Sequence, residues 1–216
     1  MGPGAQAQSD ASIFALGQIH YTYDLPAQGA LFELDGTLYA SKYFELSRLD
    51  LNFLEVAFGP SFSLGRWGWE NARLGIYGIA GASTLGGSHY STIGGAGLRL
   101  RTQIDNRTLL ETQLEARSID YSNTADYPTA TLQDGATYRF RAQLIRSLSP
   151  SWTGSLAFEA RKVEGETAFN TFSGYGLTAK LNHDFRGPTG GILADNEPWS
   201  LLLALGGIAR DYDGPD

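Results

Sequence analysis

Three histidines, His20, His89 and His183, are the residues of this chain best suited to acid–base chemistry near neutral pH. A hydrolase built on histidine needs a nucleophile or a water molecule within hydrogen-bond reach of the ring. His89, in a predicted outer loop between Ser88 and Ser91, has hydroxyl groups nearby in sequence, but this adjacency matches no catalytic motif of fixed spacing. We therefore predict no catalytic residues and no enzymatic activity.

Acidic residues form a second group, because carboxylates can bind a cation. They are scattered through predicted loops and strand ends without the Asp-x-Asp-x-Asp-Gly spacing of a calcium loop. The segment Asp211-Tyr-Asp213-Gly matches only a small part of that spacing. The chain also has no cysteine, which removes disulfides and thiolate metal sites. We predict no metal site and no bound cofactor.

Charged residues at every second position form a third group, and their chemistry is electrostatic. Arg139 and Arg141 alternate with Tyr138, Phe140 and Ala142. Successive side chains of a β-strand point to opposite faces, so such a segment has one charged and one apolar face. Carried through about ten segments, this pattern is typical of a transmembrane β-barrel wall with a polar lumen. The predicted lumen lining is Arg99, Arg101, Glu111, Glu115, Arg117, Arg139, Arg141, Glu159 and Arg161.

Two interpretations of this lining stay open. Adjacent strands can bring Arg99 and Arg101 toward Glu111 and Glu115, and opposite charges on neighbouring strands stabilise their pairing. The lining is then a structural ladder that keeps the wall polar. Alternatively, it is an electrostatic surface that passes or binds polar cargo.

The elements that position these charges are long strands. Most predicted strands exceed the five or six residues usual in globular sheets and reach or exceed the roughly nine to eleven that cross a bilayer at a tilt. The fold class is therefore all-β, an antiparallel up-and-down transmembrane β-barrel of the bacterial outer membrane. The predicted strands are 12–25, 30–42, 49–64, 72–84, 90–103, 107–121, 136–148, 151–164, 171–185 and 199–212.

Tryptophan positions indicate an orientation. Trp67, Trp69, Trp152 and Trp199, the four tryptophans of the chain, lie in or beside links assigned to the short-turn side. Indole rings favour the membrane–water interface because an apolar ring there keeps its N–H in contact with polar partners. We predict an aromatic girdle at this periplasmic rim, with the longer polar loops near 122–135 and 164–170 outside. The long 186–198 link departs from this alternation.

Charge and hydropathy exclude other classes. The net charge of −7, without a dense basic patch, argues against nucleic-acid binding. No run of about 18 apolar residues is present, so no transmembrane helix is predicted. The expected partners are outer-membrane lipid and polar cargo.

Strand parity bears on the extent of the barrel. We predict a disordered segment over 1–11 and the barrel over 12–216. If 26–29 is a periplasmic turn, the first strand begins and the tenth ends on the outer side, whereas barrels normally have both termini in the periplasm. We therefore expect a barrel incomplete at both ends, from a parent of about 12 to 14 strands.

A family resemblance is carried by five runs: LDLNFLEVAFGP (49–60), IGGAGL (93–98), DYP (126–128), PWS (198–200) and ARDYD (209–213). They resemble the C-terminal barrel of tetratricopeptide-plus-barrel outer-membrane proteins, a group that includes the surface lipoprotein assembly modifiers. The resemblance implies an outer-membrane location and a role in moving proteins across that membrane. The helical-repeat domain of that group and a C-terminal strand ending in an aromatic residue are not found in this sequence.

We accordingly predict a conduit or assembly device for surface-exposed protein or other polar cargo. The alternative is a general porin-like or structural barrel without a dedicated substrate. A soluble up-and-down barrel with inverted faces and an apolar ligand is a third possibility. It is disfavoured because ten or more strands enclose a lumen too wide for these side chains to fill, whereas about eight strands is the usual ligand-holding size.

Overall fold

One antiparallel sheet of ten strands makes up the computed structural model, which describes residues 10–27, 29–186 and 198–212. Each strand pairs with its neighbour in sequence, from β1 to β10 without a crossover. The all-β up-and-down prediction is confirmed, and the predicted strand limits agree to within two residues. The strands are β1 (Ser12–Asp24), β2 (Ala30–Tyr43), β3 (Leu51–Ser63), β4 (Ala72–Leu85), β5 (Ser88–Asp105), β6 (Thr108–Tyr121), β7 (Gly135–Ser149), β8 (Trp152–Gly165), β9 (Phe172–Arg186) and β10 (Pro198–Tyr212).

The link between β4 and β5 is shorter than the sequence suggested. Gly86 and Gly87 alone connect the strands, with φ values of 59° and 80°. A two-residue hairpin turn needs positive φ at both positions, which glycine adopts without steric cost. His89, expected in a loop, is therefore the second residue of β5.

Curvature gives the sheet a concave face with a small core. Tyr77, Ile79 and Ile93 are buried there, and Phe53, Ala57 and Ile119 pack around them. Gly97 lies directly opposite Tyr77 in the neighbouring strand. A Cβ atom on Gly97 would lie 2.5 Å from Cζ of Tyr77, so the missing side chain leaves the space that the ring occupies.

The opposite, convex face carries large apolar side chains that no other described residue covers. Leu114 at the middle of β6 is 54% exposed, and Leu156 in β8 is 49% exposed. The same face continues over Leu54, Phe58, Ile76, Leu98, Tyr138, Phe140, Leu144, Phe158, Tyr175 and Leu177, which are 36% to 59% exposed. An apolar surface this continuous marks contact with a membrane or a partner.

The first and last strands are the edges of the sheet. Within the described ranges, β1 pairs only with β2, and β10 pairs only with β9. Every side chain of β1 is exposed, as are those of residues 199–212 in β10. Their outer backbone N–H and C=O groups are therefore available to another strand.

The predicted disordered segment, 1–11, lies largely outside the described residues. The two residues that are described have defined partners. The Asp10 carboxylate accepts hydrogen bonds from the backbone N–H groups of Glu45 and Leu46, at 3.0 and 2.7 Å. The carbonyl of Ala11 accepts one from the backbone N–H of Phe44 at 3.1 Å. The chain is thus fixed to the β2–β3 link before β1 begins.

Helical structure among the described residues consists of short 3-10 turns in the links, such as Ala130–Gln133 and Ala168–Asn170 in the two longer loops. No helix in the described part of the chain is long and apolar enough to cross a membrane.

We expect Gly97→Ala to lower the free energy of unfolding by about 1–3 kcal/mol, because the added methyl group collides with the buried ring of Tyr77. Urea titration of the chain refolded in detergent micelles measures the change. The matched control is Gly94→Ala in the same strand, where no atom lies within 4 Å of the added Cβ, and we expect a change within about 0.5 kcal/mol. Equal effects at the two positions would contradict the packing role of Gly97.

Candidate functional site

The nine residues predicted to line a lumen share the concave face. Strand register places Arg101 opposite Glu111, Glu115 opposite Arg139, and Arg141 opposite Glu159. Directly opposed residues in antiparallel strands point to the same face, and residues two apart in a strand do the same. The remaining predicted residues, Arg99, Arg117 and Arg161, follow from this alternation.

A first network crosses the concavity from β5 to β2. The Arg99 guanidinium lies 2.9 Å from the Asp35 carboxylate and 3.6 Å from that of Glu33. Arg101 reaches Glu33 at 3.0 Å and Glu111 at 2.8 Å. Because β3 and β4 lie between the two strands, these contacts require strong curvature. The expected pairing of Arg101 with Glu111 is present, whereas Arg99 finds its carboxylates on β2.

A second network centres on Glu115, whose side chain is only 5% exposed. Its carboxylate accepts hydrogen bonds from Arg139 at 2.6 Å and from the Tyr77 hydroxyl at 2.8 Å, and lies 2.9 Å from Nη2 of Arg117. Arg117 also reaches Glu55 on β3 at 2.8 Å. Three donors thus satisfy one desolvated carboxylate, which offsets the cost of removing its charge from water.

Two residues of these networks, Ser61 and Tyr77, carry no signal in the sequence pattern. Ser61 is fully buried and donates a hydrogen bond to Glu33 at 2.6 Å, while Arg73 donates one to Ser61 at 3.0 Å. Tyr77 likewise stands at an inward position of a strand that reads as apolar. Their roles depend on which strands face each other across the concavity. The two-residue alternation along each strand carries no information about that arrangement.

The networks border a polar cavity of about 730 Å³. Its lining includes His20, Gln113 and Arg141, together with these residues of the two networks: Asp35, Glu55, Tyr77, Arg99, Arg101, Glu115, Arg117 and Arg139. Side chains from β1 to β7 meet at this space, so the concave face has room for water and small solutes beside its ion pairs.

Glu159 and Arg161, two further residues of the predicted lining, lie outside the networks. Both residues are on β8, and their charged groups lie 2.8 Å apart. Arg141 on β7 donates instead to the amide oxygen of Gln143 at 2.8 Å. The β7–β8 region is therefore less fully paired than the β2–β6 region.

The three histidine rings have different polar partners. His20 contacts Asp35, His89 lies 3.2 Å from the Thr92 hydroxyl, and His183 lies 3.2 Å from the backbone carbonyl of Ser151. No histidine ring in the described ranges is hydrogen-bonded to a serine hydroxyl. Among the same residues, no group of three or more metal-ligating side chains is present.

The four tryptophans lie at one end of the sheet. Trp67 and Trp69 are in the β3–β4 link and are 72% and 60% exposed. Trp199 is the second residue of β10 and is 48% exposed, while Trp152 begins β8 and stacks on His183 with ring centroids 4.1 Å apart. The predicted girdle residues thus share the rim at which β3, β5 and β7 end.

Comparisons with known proteins give weak likenesses only. No protein-family model and no curated protein matches the sequence. A solved structure described as "KdgM porin" is similar over 94% of this chain and 95% of its own, with 12% sequence identity and a TM-score of 0.43. The ferric-catecholate import receptor Fiu from E. coli K12 is similar over 93% of this chain and 50% of its own, with 12% identity and a TM-score of 0.34.

Neither likeness is close enough to assign the chain to a family. The resemblance to the surface lipoprotein assembly modifiers stays a prediction.

We expect Glu115→Gln to lower the free energy of unfolding by about 3 kcal/mol, because the neutral amide leaves two guanidinium groups without their shared buried carboxylate. Urea titration in micelles again provides the measurement. Glu164→Gln is the control, since Glu164 pairs with Lys162 where both side chains are about half exposed, and we expect a loss below about 1 kcal/mol. A loss at Glu115 no larger than that at Glu164 would show that the network is not stabilising.

Proposed function

We propose that this sheet is the wall of an outer-membrane β-barrel that lets small polar solutes pass along its charged concave face. The observation that carries the proposal is the segregation of side chains. Exposed apolar residues such as Leu114 cover the convex face, while paired charges such as Arg99 and Asp35 cover the concave face. A membrane protein needs this arrangement, since lipid tails solvate apolar side chains and a lumen holds water.

A soluble barrel would have the inverse arrangement. Its aliphatic side chains would pack inside and its arginines and glutamates would face water outside. Strand length supports the membrane proposal as well. The strands contain 13 to 18 residues, whereas about nine to eleven suffice to cross a bilayer. The additional residues of the strands extend beyond the hydrocarbon region, and the link that carries Trp67 and Trp69 lies at such strand ends.

The porin-like role is supported by the polar cavity of about 730 Å³. Its charges are largely paired, as in the Arg117–Glu55 contact, so the surface is hydrated without being strongly attractive to one sign of charge. A passage of this kind suits small hydrophilic solutes. The bilayer lipid is then the partner of the convex face.

The second candidate is a conduit for exported protein, including lipoprotein, as the family resemblance implies. Within the described ranges, one edge of β1 and one edge of β10 carry no further strand, which favours it, because an edge strand can accept another strand through its backbone groups. A conduit of this type would bind an extended segment of its cargo, whereas a porin would pass solute without a partner.

Leu114→Arg separates a membrane wall from a soluble sheet. We expect it to cost about 2–4 kcal/mol of folding free energy in lipid vesicles, because a charge at the bilayer midplane is poorly solvated. The control is Leu132→Arg in the β6–β7 loop, where the side chain is 48% exposed and we expect little change. Folding is followed by the mobility shift between boiled and unboiled samples. In a soluble protein, both substitutions would be almost neutral.

Planar-bilayer conductance tests the passage itself. We expect stepwise increases in current when the refolded chain inserts. Insertion shown by protease protection in vesicles, without conductance, would contradict the porin-like role and leave the conduit role as the better candidate.

A further inference from the structure

The β7–β10 part of the concave face has a charge balance unlike that of the two networks. A hollow of about 190 Å³ opens there, which we call the basic hollow. Four cationic side chains line it, and Glu159 is the only carboxylate among its lining residues. The cationic residues are Arg141, Arg161, Lys180 and Arg210. The hollow therefore has an excess of three positive charges in a chain whose net charge is −7.

These cations are incompletely paired. Arg161 reaches Glu159 at 2.8 Å, but Arg141 donates to the neutral amide of Gln143. Arg210 lies over the ring of Phe172, with Cζ 5.3 Å from the ring centroid. The exposed side chain of Lys180 has no acidic partner among the described residues. A ligand that supplies negative charge would meet donors whose hydrogen bonds are still available.

Glycine forms the floor of the basic hollow. Strand register places Gly174 between Arg161 and Arg210, and Gly176 between Glu159 and Ile208. Because neighbouring strands are about 4.8 Å apart, the two arginines emerge from backbones roughly 10 Å apart with no side chain between them. The gap suits a ligand that is bound at one end by the guanidinium of Arg161 and at the other end by that of Arg210.

Packing does not explain the two glycines. A Cβ on Gly174 would lie 3.4 Å from the carbonyl oxygen of Ala209, and one on Gly176 would lie 3.4 Å from Cγ1 of Ile208. Both distances are ordinary van der Waals contacts, and neither glycine is among the residues with positive φ. Alanine would fit at either position. The effect of having glycine at both is to leave the floor of the hollow open, because glycine has no side chain.

We propose that the basic hollow is a binding site for a small organic anion with two or more carboxylate or phosphate groups. Arg161 and Arg210 bind its ends through planar guanidinium groups, which match the geometry of these oxyanions. Lys180 and Arg141 supply further charge, and the Phe172 ring forms an apolar side. The inference rests on the proposed function in one respect: the concave face must be open to water.

Calorimetric titration of citrate and of inorganic phosphate into the refolded full chain in micelles tests the site. We expect citrate to bind more tightly than phosphate, and Lys180→Gln/Arg210→Gln to weaken citrate binding by about tenfold or more, because two charge-assisted contacts are lost. Lys42→Gln on the exposed convex face of β2 removes the same type of charge elsewhere and should leave binding unchanged.

Gly174→Leu tests the geometry without removing a charge. The side chain fills the floor between Arg161 and Arg210, so we expect citrate binding to fall although all four cations remain. The boiled and unboiled mobilities of each variant show whether it has folded. Lys180→Gln alone provides a milder variant, because Lys180 is exposed.

The results separate this inference from the proposed function. Citrate binding that is absent, or that folded Lys180→Gln/Arg210→Gln and Gly174→Leu retain in full, overturns the basic hollow. A chain that conducts in bilayers without binding citrate keeps the proposed function and overturns only the hollow. A chain that binds citrate with the expected variant pattern but neither inserts nor conducts supports the hollow and overturns the proposed function.

Discussion

The pairing of inward-facing charges is the constraint on which the curvature of this sheet depends. As a sheet curves, the side chains on its concave side approach one another and lose water. Arg99 on β5 can approach β2 only because the carboxylates of Asp35 and Glu33 meet it there. An unpaired charge in the same place would have to be desolvated without compensation, and that penalty would favour a flatter sheet.

Space is the complementary requirement. The paired charges come close only where the positions between them have small side chains or none. Gly97 is such a position, next to the Tyr77 ring. The ring in turn brings its hydroxyl to Glu115, which two arginines share. Packing and electrostatics are therefore coupled in the β2–β6 region. In the β9 region, glycines at inward positions instead leave a hollow whose cations are incompletely paired.

The sequence predicts the strands well because their signal is local. A period of two residues, continued over a dozen positions, fixes both the strand limits and the face on which Arg139 or Glu159 lies. Contacts between distant strands, such as Arg99 with Asp35, depend on curvature, which no local pattern reports. The same limitation applies to Ser61 and Tyr77, whose partners lie on other strands. His89 differs from its predicted loop position for a local reason, because Gly86 and Gly87 form a two-residue turn and β5 begins directly after it.

The up-and-down strand order has a consequence for how such a chain changes over evolutionary time. Because each described strand pairs only with its sequence neighbours, a hairpin at one edge of the described sheet, such as β9–β10, can be duplicated or lost while one existing strand pairing changes. The β2–β5 contacts do not share this freedom, since deleting the hairpin between them would make β2 and β5 direct neighbours and change the spacing across which Arg99 reaches its carboxylates. The chain thus joins a region in which strand number is fixed to a region in which strand number can vary.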